Sequence, residues 1–248
     1  MEHGQKVAIV TGGASGLGYA IAEKFVKNNI LTVIIVRDED KAKNACTSLG
    51  PLADYVLGDL THLSKIPDLV QGILKKHGHI DILVNNAGIH LKKSMLEITD
   101  EEFQKVVLTN QTAVFSISRE VAKIMVEQKS GCIINISSMA SRYGIPLVLA
   151  YTAAKSAIEG MTRAMAVELS PLGVRVNCIA PGFIKTNMSS SALDSDPDRK
   201  QKVMSRTPMG KLGTPGDVAN AAYYFASGEA EYLTGVVLCV DGGNSIGF

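Results

Sequence analysis

Charge of one sign is missing from this sequence: 25 Lys and Arg stand against 24 Asp and Glu, a formal charge of +1, with the two signs interspersed. Such a surface sets up no field that gathers nucleic acid or an anionic membrane, so neither is expected as a partner. Apolar runs stop short of the roughly 18 residues that a bilayer-spanning helix needs. "MEHGQ" passes directly into strand-like "KVAIVTG", so neither an anchor nor a signal peptide is expected. Cys46, Cys132, Cys178 and Cys239 lie far apart with no C-x-x-C pair, which supports neither a disulfide framework nor a zinc site. Three of these four fall in apolar strand candidates and read as reduced core thiols of a cytoplasmic protein. His77 and His79 in "KKHGHID" have no carboxylate or cysteine spacing to complete a metal site and read as a polar turn; no metal is expected.

What is present is a long alternation. A chain of 248 residues, 46% hydrophobic and 20% charged, can bury a large core. Short β-branched runs ("VAIVT", "TVIIV", "YVLGDL", "ILVNNAG", "CIINISS", "VRVNCIAPG", "VVLCVDGG") are separated by helical patterns near 17–28, 39–49, 62–77, 100–128, 150–169 and 215–227. The strands are apolar almost throughout, which indicates burial on both faces. The pattern predicts an α/β fold: one doubly wound, Rossmann-like parallel sheet of about seven strands with helices on both faces. No linker, composition shift or repeat divides the chain, so residues 1–248 read as one domain, with a substrate lid near 183–214.

Ligands of such sheets bind beyond the carboxyl ends of the strands. After the first strand comes "TGGASGLG", in which Gly12, Gly16 and Gly18 lead into a helix. Glycines there let the backbone turn tightly and approach a pyrophosphate at the helix N-terminus, where free N–H groups favour an anion. A structural turn would need only one or two of them. Further on, Tyr151 and Lys155 in "YTAAKSAIEG" stand at i and i+4 of a helix, on one face, close enough to share an electrostatic environment. Tyrosine, with an ordinary pKa near 10, is a poor proton donor to a neutral-pH reaction unless a nearby ammonium stabilises its phenolate. Lys155 is expected to supply that charge.

With "GDL" at 58–60, "NNAG" at 85–88, Asn110 in "LTNQT", "ISS" at 136–138, "PG" at 181–182 with Thr186, and "VDGG" at 240–243, the sequence resembles the short-chain dehydrogenase/reductase family over essentially its whole length. The resemblance implies catalytic roles for Asn110, Ser138, Tyr151 and Lys155. Tyr151 would exchange the proton, Ser138 would hold the substrate oxygen, Lys155 would also bond the nicotinamide ribose, and Asn110 would help hold a water leading to solvent. Ser138 is preferred to Ser137 because it lies thirteen residues before Tyr151. Cofactor contacts are implied for Gly12, Ser15, Gly16, Leu17 and Gly18, for Asp59 and Leu60 beside the adenine, for Asn86, Ala87 and Gly88 beside the ribose, and for Pro181, Gly182, Ile184 and Thr186 at the carboxamide. Asn85 reads as structural.

At the end of the second strand Val36 stands where a carboxylate would hold a ribose 2′-hydroxyl, and Arg37 follows. That favours NADP(H) over NAD(H), since arginine suits a 2′-phosphate. Ser15 stands where many NADP-dependent members carry a cation, and Asp38 and Glu39 are close enough to swing inward, so NAD(H) stays open. The expected reaction interconverts a small-molecule carbonyl and a secondary alcohol, in a sugar acid, polyol or keto-acid. His90, Arg142 and Tyr143 are candidates to meet a hydroxylated or anionic substrate, or plain loop surface. Resemblance extends also to 3-oxoacyl-carrier-protein reductases. These carry a basic residue beyond the catalytic helix, where this chain reads Ser170-Pro171-Leu172, although Lys129 keeps a charge at the other docking position. A dinucleotide-binding sensor without turnover is the reading from a different class. The resemblance further implies a homotetramer built through the helices near 100–128 and 150–169 and the "DGGNSIGF" end.

Overall fold

The strands expected from the apolar runs form one sheet. In a computed structural model, which describes residues 4–186 and 197–247, β1 (Val7–Thr11), β2 (Leu31–Val36), β3 (Ala53–Leu57), β4 (Ile82–Asn85), β5 (Gly131–Ile136), β6 (Val174–Pro181) and β7 (Val237–Val240) are ordered β3-β2-β1-β4-β5-β6-β7. Every pairing is parallel, with Ile9 flanked by Val33 on one side and Leu83 on the other. The order reverses direction between β1 and β4, which opens a crevice at their carboxyl ends.

Side chains alternate across this sheet, and both faces are buried. Ala8, Val10, Ile34, Val84 and Ile134 pack beneath α1 (Gly16–Lys27), α2 (Glu39–Leu49) and the late helix Pro215–Ala226. Val7, Ile9, Val33, Leu83 and Ile133 pack on the opposite side, beneath α3 (Ile66–His77) and α5 (Ala113–Gln128). The doubly wound expectation is met. Fully buried Phe25 and Phe225 are the largest side chains on the first face, and Ile117 and Met125 fill the second.

Two elements differ from the expected pattern. The helix predicted over 100–128 is interrupted: α4 (Asp100–Val107), which opens on a reciprocal Thr99–Glu102 capping box, passes through a π-helical turn at Leu108–Thr112 before α5 begins. Within the expected lid, α7 (Pro197–Arg206) is a helix the sequence pattern had not signalled, while 187–196 lie outside the described residues. Between them runs α6 (Leu149–Leu169), and the helix Pro215–Ala226 is α8. No described helix is long and apolar enough to cross a membrane.

Candidate active site

The turn after β1 is shaped by its glycines. Gly12 and Gly16 have φ of +68° and +55°, a region that favours glycine, and a Cβ on Gly18 would lie 2.4 Å from the Gly12 carbonyl oxygen. Around Gly16 there is open space. Ser15 occupies the N-cap of α1 without a side-chain hydrogen bond to the helix, so its first N–H groups are left for another acceptor. This is a cradle sized for a ligand's phosphates rather than for a side chain, and it fits a dinucleotide.

Beside it lies a cleft of about 330 Å³. Of the expected cofactor residues, Gly12, Ser15, Arg37, Asp59, Leu60, Asn86, Ala87 and Gly88 line it. Gly16, Leu17, Gly18, Tyr151, Lys155, Pro181, Gly182, Ile184 and Thr186 lie outside its walls. Thr11 and Asn86 join the glycine turn to the "NNAG" segment: the Thr11 hydroxyl accepts from the Asn86 and Ala87 N–H groups, each at 2.9 Å, and the Asn86 amide donates to the Thr11 carbonyl at 3.0 Å. Asp59 accepts from the N–H and hydroxyl of Thr61, at 2.9 and 2.7 Å. Those bonds, with help from Arg37, hold its carboxyl below the ordinary range. Pro181 ends β6, and Ile184 bridges to Gly213, anchoring the start of the lid.

Both carboxylates after Arg37 pair with lysines, although Asp38 also lines the cleft. Asp38 caps α2, accepting from the Lys41 N–H at 3.0 Å and pairing with its ammonium at 3.3 Å, and Glu39 pairs with Lys43 at 2.9 Å. Arg37 is exposed on the cleft wall, and Lys41 stands on the same wall, a cation the sequence reading missed. Its signal was available: it lies in the first turn of the helix that follows Arg37.

Beyond the far end of "NNAG", next to Gly88, stand the catalytic candidates. A Cβ on Gly88 would lie 3.1 Å from Asn110 Oδ1 and 3.8 Å from Lys155 Nζ. Asn110, fully buried in the π-helical turn, accepts from the Ile89 N–H and donates to the Ile89 carbonyl, both at 2.7 Å. Its amide braces the segment. Lys155 is buried and donates to the Ile136 carbonyl at 2.7 Å, with its ammonium 5.8 Å from the centre of the Tyr151 ring. Ser138 caps the short helical turn Met139–Ser141 after β5, accepts from the Ala140 N–H at 3.2 Å, and stands near enough to the Tyr151 phenol to pull its pKa down. Ser138, Tyr151 and Lys155 are thus brought together.

Electrostatics here differ from the expectation. Burial pushes the Tyr151 phenol up, opposed by the nearby Ser138 hydroxyl, and burial pushes Lys155 down to about 8. Desolvation disfavours the charged form of both groups.

Of the three loop candidates, His90 reaches the site, its ring centroid 4.8 Å from that of Tyr151. Arg142 turns to Glu159, Nε to Oε2 3.4 Å. Tyr143 bonds Asn244 and lies under the Arg206 guanidinium of α7, 4.1 Å from its ring centre. Asn85 is structural, donating to Ser118 and Asn135 at 2.8 Å. His77 pairs with Asp54 at 3.0 Å and His79 with the Gln5 carbonyl at 3.0 Å, as a polar turn would have them.

A switch-point crevice with a glycine cradle, joined to a Ser–Tyr–Lys group, defines a dinucleotide-dependent oxidoreductase. A family model described as enoyl-(acyl carrier protein) reductase matches residues 12–245. Over 243 residues, 96% of each chain, the sequence is 40% identical to a 3alpha-hydroxysteroid dehydrogenase of Mediterraneibacter gnavus. It is 37% identical over 242 residues, again 96% of each, to the 3-oxoacyl-[acyl-carrier-protein] reductase FabG of Chlamydia muridarum. The solved structure of an actinorhodin polyketide ketoreductase with NADPH superposes with a TM-score of 0.91 at 31% identity, covering 97% of both chains. The chain belongs to the short-chain dehydrogenase/reductase family and is an NAD(P)-dependent enzyme of that family.

Proposed function

We propose that this enzyme uses NADP(H) to interconvert a polar small-molecule carbonyl and its secondary alcohol, the substrate being a sugar acid, polyol or keto-acid. The observation that carries the reading is the grouping of three side chains: the Ser138 hydroxyl lies close enough to the Tyr151 phenol to oppose its upward shift, and the Lys155 ammonium lies 5.8 Å from the centre of the Tyr151 ring. A proton donor raised by burial stays protonated at neutral pH, as reduction requires. Tyr151 then gives its proton to the substrate oxygen while Ser138 holds that oxygen and shares its developing charge. A bound nicotinamide supplies the hydride in reduction and takes it in oxidation. Lys155 stands behind the phenol, placed to stabilise the phenolate left after transfer and to meet a ribose hydroxyl.

Two features support the details. Arg37 and Lys41 line the cleft, where Asp38 beside them is paired with Lys41, and Glu39 is paired with Lys43, which suits a 2′-phosphate. The exposed imidazole of His90 against Tyr151 offers a polar partner to a substrate bearing hydroxyl or carboxylate groups. All four thiols are free, which suits the cytoplasm. A homotetramer belongs to the same reading: Phe115 on α5 and Val167 on α6 are exposed, and β7 is an edge strand.

The second reading, reduction of a 3-oxoacyl thioester, is favoured by the 37% identity to the Chlamydia muridarum reductase and by Lys129, which caps α5. Against it, the turn Ser170–Leu172 offers no cation to an acidic carrier. A panel of ketoses, keto-acids, diketones and 3-oxoacyl thioesters, followed by nicotinamide absorbance with both cofactors, separates the two. Turnover of keto-acids or ketoses with NADPH is expected, whereas turnover confined to thioesters would establish the second reading.

A further inference from the structure

We propose that Glu159 is a positioning residue, whose buried carboxylate fixes the Ser138 turn against the helix that carries Tyr151 and Lys155. The inference rests on the reading of Ser138 and Tyr151 given above. Glu159 follows Lys155 by one helical turn on α6 and is 6% exposed. A carboxylate so placed is costly unless donors surround it. Its donors all come from one short stretch: Ser137 Oγ at 3.2 Å and Ser141 Oγ on Oε1, and Arg142 Nε at 3.4 Å from Oε2.

These three residues bracket Ser138 on both sides. The Ser141 hydroxyl lies 2.6 Å from the Ser138 carbonyl as well as against Glu159, so the carboxylate is one hydroxyl away from the Ser138 backbone. On the other side the Ser137 N–H donates to Ile179 on β6 at 2.8 Å. Ser138 itself needs a defined orientation, because its Oγ accepts from the Ala140 N–H and must face the phenol of Tyr151 beside it. One rigid helix thereby presents Tyr151, Lys155 and, through Glu159, the serine that must meet the same substrate oxygen. Displacement of a reacting group by about 1 Å costs up to about a hundredfold in rate, so a carboxylate that touches no reacting atom still governs turnover.

The test is a double-mutant cycle on the full-length enzyme, with kcat, KM for both substrates and thermal unfolding read for each variant. Glu159→Ala is expected to lower kcat about tenfold with cofactor KM unchanged, and Glu159→Gln, whose amide oxygen still accepts from Ser137 and Ser141, to stay within about threefold of the parent. In a Ser138→Ala background the Glu159→Ala loss should shrink to less than about twofold, because the group it positions is gone. Ser141→Ala, a smaller change, must show the same dependence on Ser138 and carries the test if Glu159→Ala does not fold. A Ser138→Ala loss together with undiminished losses from the Glu159 or Ser141 variants overturns the inference alone. A Ser138→Ala variant with normal turnover overturns the reading of Ser138, and the inference with it.

Discussion

Asn110 and the backbone of Ile89, 21 residues apart, exchange two hydrogen bonds of 2.7 Å, and this reciprocal pair sits where the helix between α4 and α5 widens into a π-helical turn. The amide does for Ile89 what a neighbouring strand would do, satisfying both backbone groups of a segment that has left the sheet. Asn110→Ala leaves them unpaired, at a cost of about 1–3 kcal/mol. Urea unfolding should show that loss together with reduced turnover. A variant of unchanged stability would mean that the brace is dispensable.

Lys155 gives a pH-dependent prediction. Its native pKa of about 8 lies below the ordinary 10.5, so between those values the unfolded chain binds more protons and the wild-type protein gains stability as pH rises. Below pH 8 the buried ammonium costs up to about 3 kcal/mol, partly offset by its bond to Ile136. Lys155→Met should therefore be inactive yet more stable by about 1–3 kcal/mol at pH 7, the gain shrinking as pH climbs from 8 toward 10.5. Paired denaturation curves at pH 7 and 10 check the sign. A gain that grows with pH would refute it.

Tyr151→Phe removes the proposed proton donor and keeps the ring that packs against His90. Turnover should fall at least about a hundredfold, while cofactor affinity measured by fluorescence titration should hardly move. Near-normal turnover would exclude Tyr151 as the acid.

For the cofactor, Arg37→Leu should weaken NADP(H) about tenfold or more, the loss of a charge-assisted bond of roughly 1.5–3 kcal/mol, and leave NAD(H) nearly unchanged. Lys41→Ala should act in the same direction but less, because Lys41 also serves Asp38. Val36→Asp should act most strongly, placing a carboxylate where a phosphate would sit. Equal weakening of both cofactors by Arg37→Leu would refute the assignment.

Assembly is checked by light scattering at micromolar concentration, where a tetramer is expected. Exposed Phe115, Val167 and Ile246 would then become protected in hydrogen exchange and in surface labelling of their neighbours. A monomer at that concentration would contradict the proposal.

How much of this was legible beforehand follows from the range of each interaction. The alternation of apolar runs and helical patterns determined a doubly wound sheet, because burial on both faces leaves its mark in every strand from Val7–Thr11 onward. The glycine spacing at Gly12, Gly16 and Gly18 and the i, i+4 placement of Tyr151 and Lys155 are local geometry, and they too were written in the sequence. Tertiary structure alone decided the rest. The break at Leu108–Thr112 is tied to a partner 21 residues away; the commitment of Glu159 joins residues up to 22 apart; and Arg142 and Tyr143 were drawn off by Glu159 and Asn244. The protonation of Tyr151 and Lys155 likewise could not be read from their spacing, since the sign of each shift is set by desolvation, and desolvation depends on which other segments of the chain close over the pair.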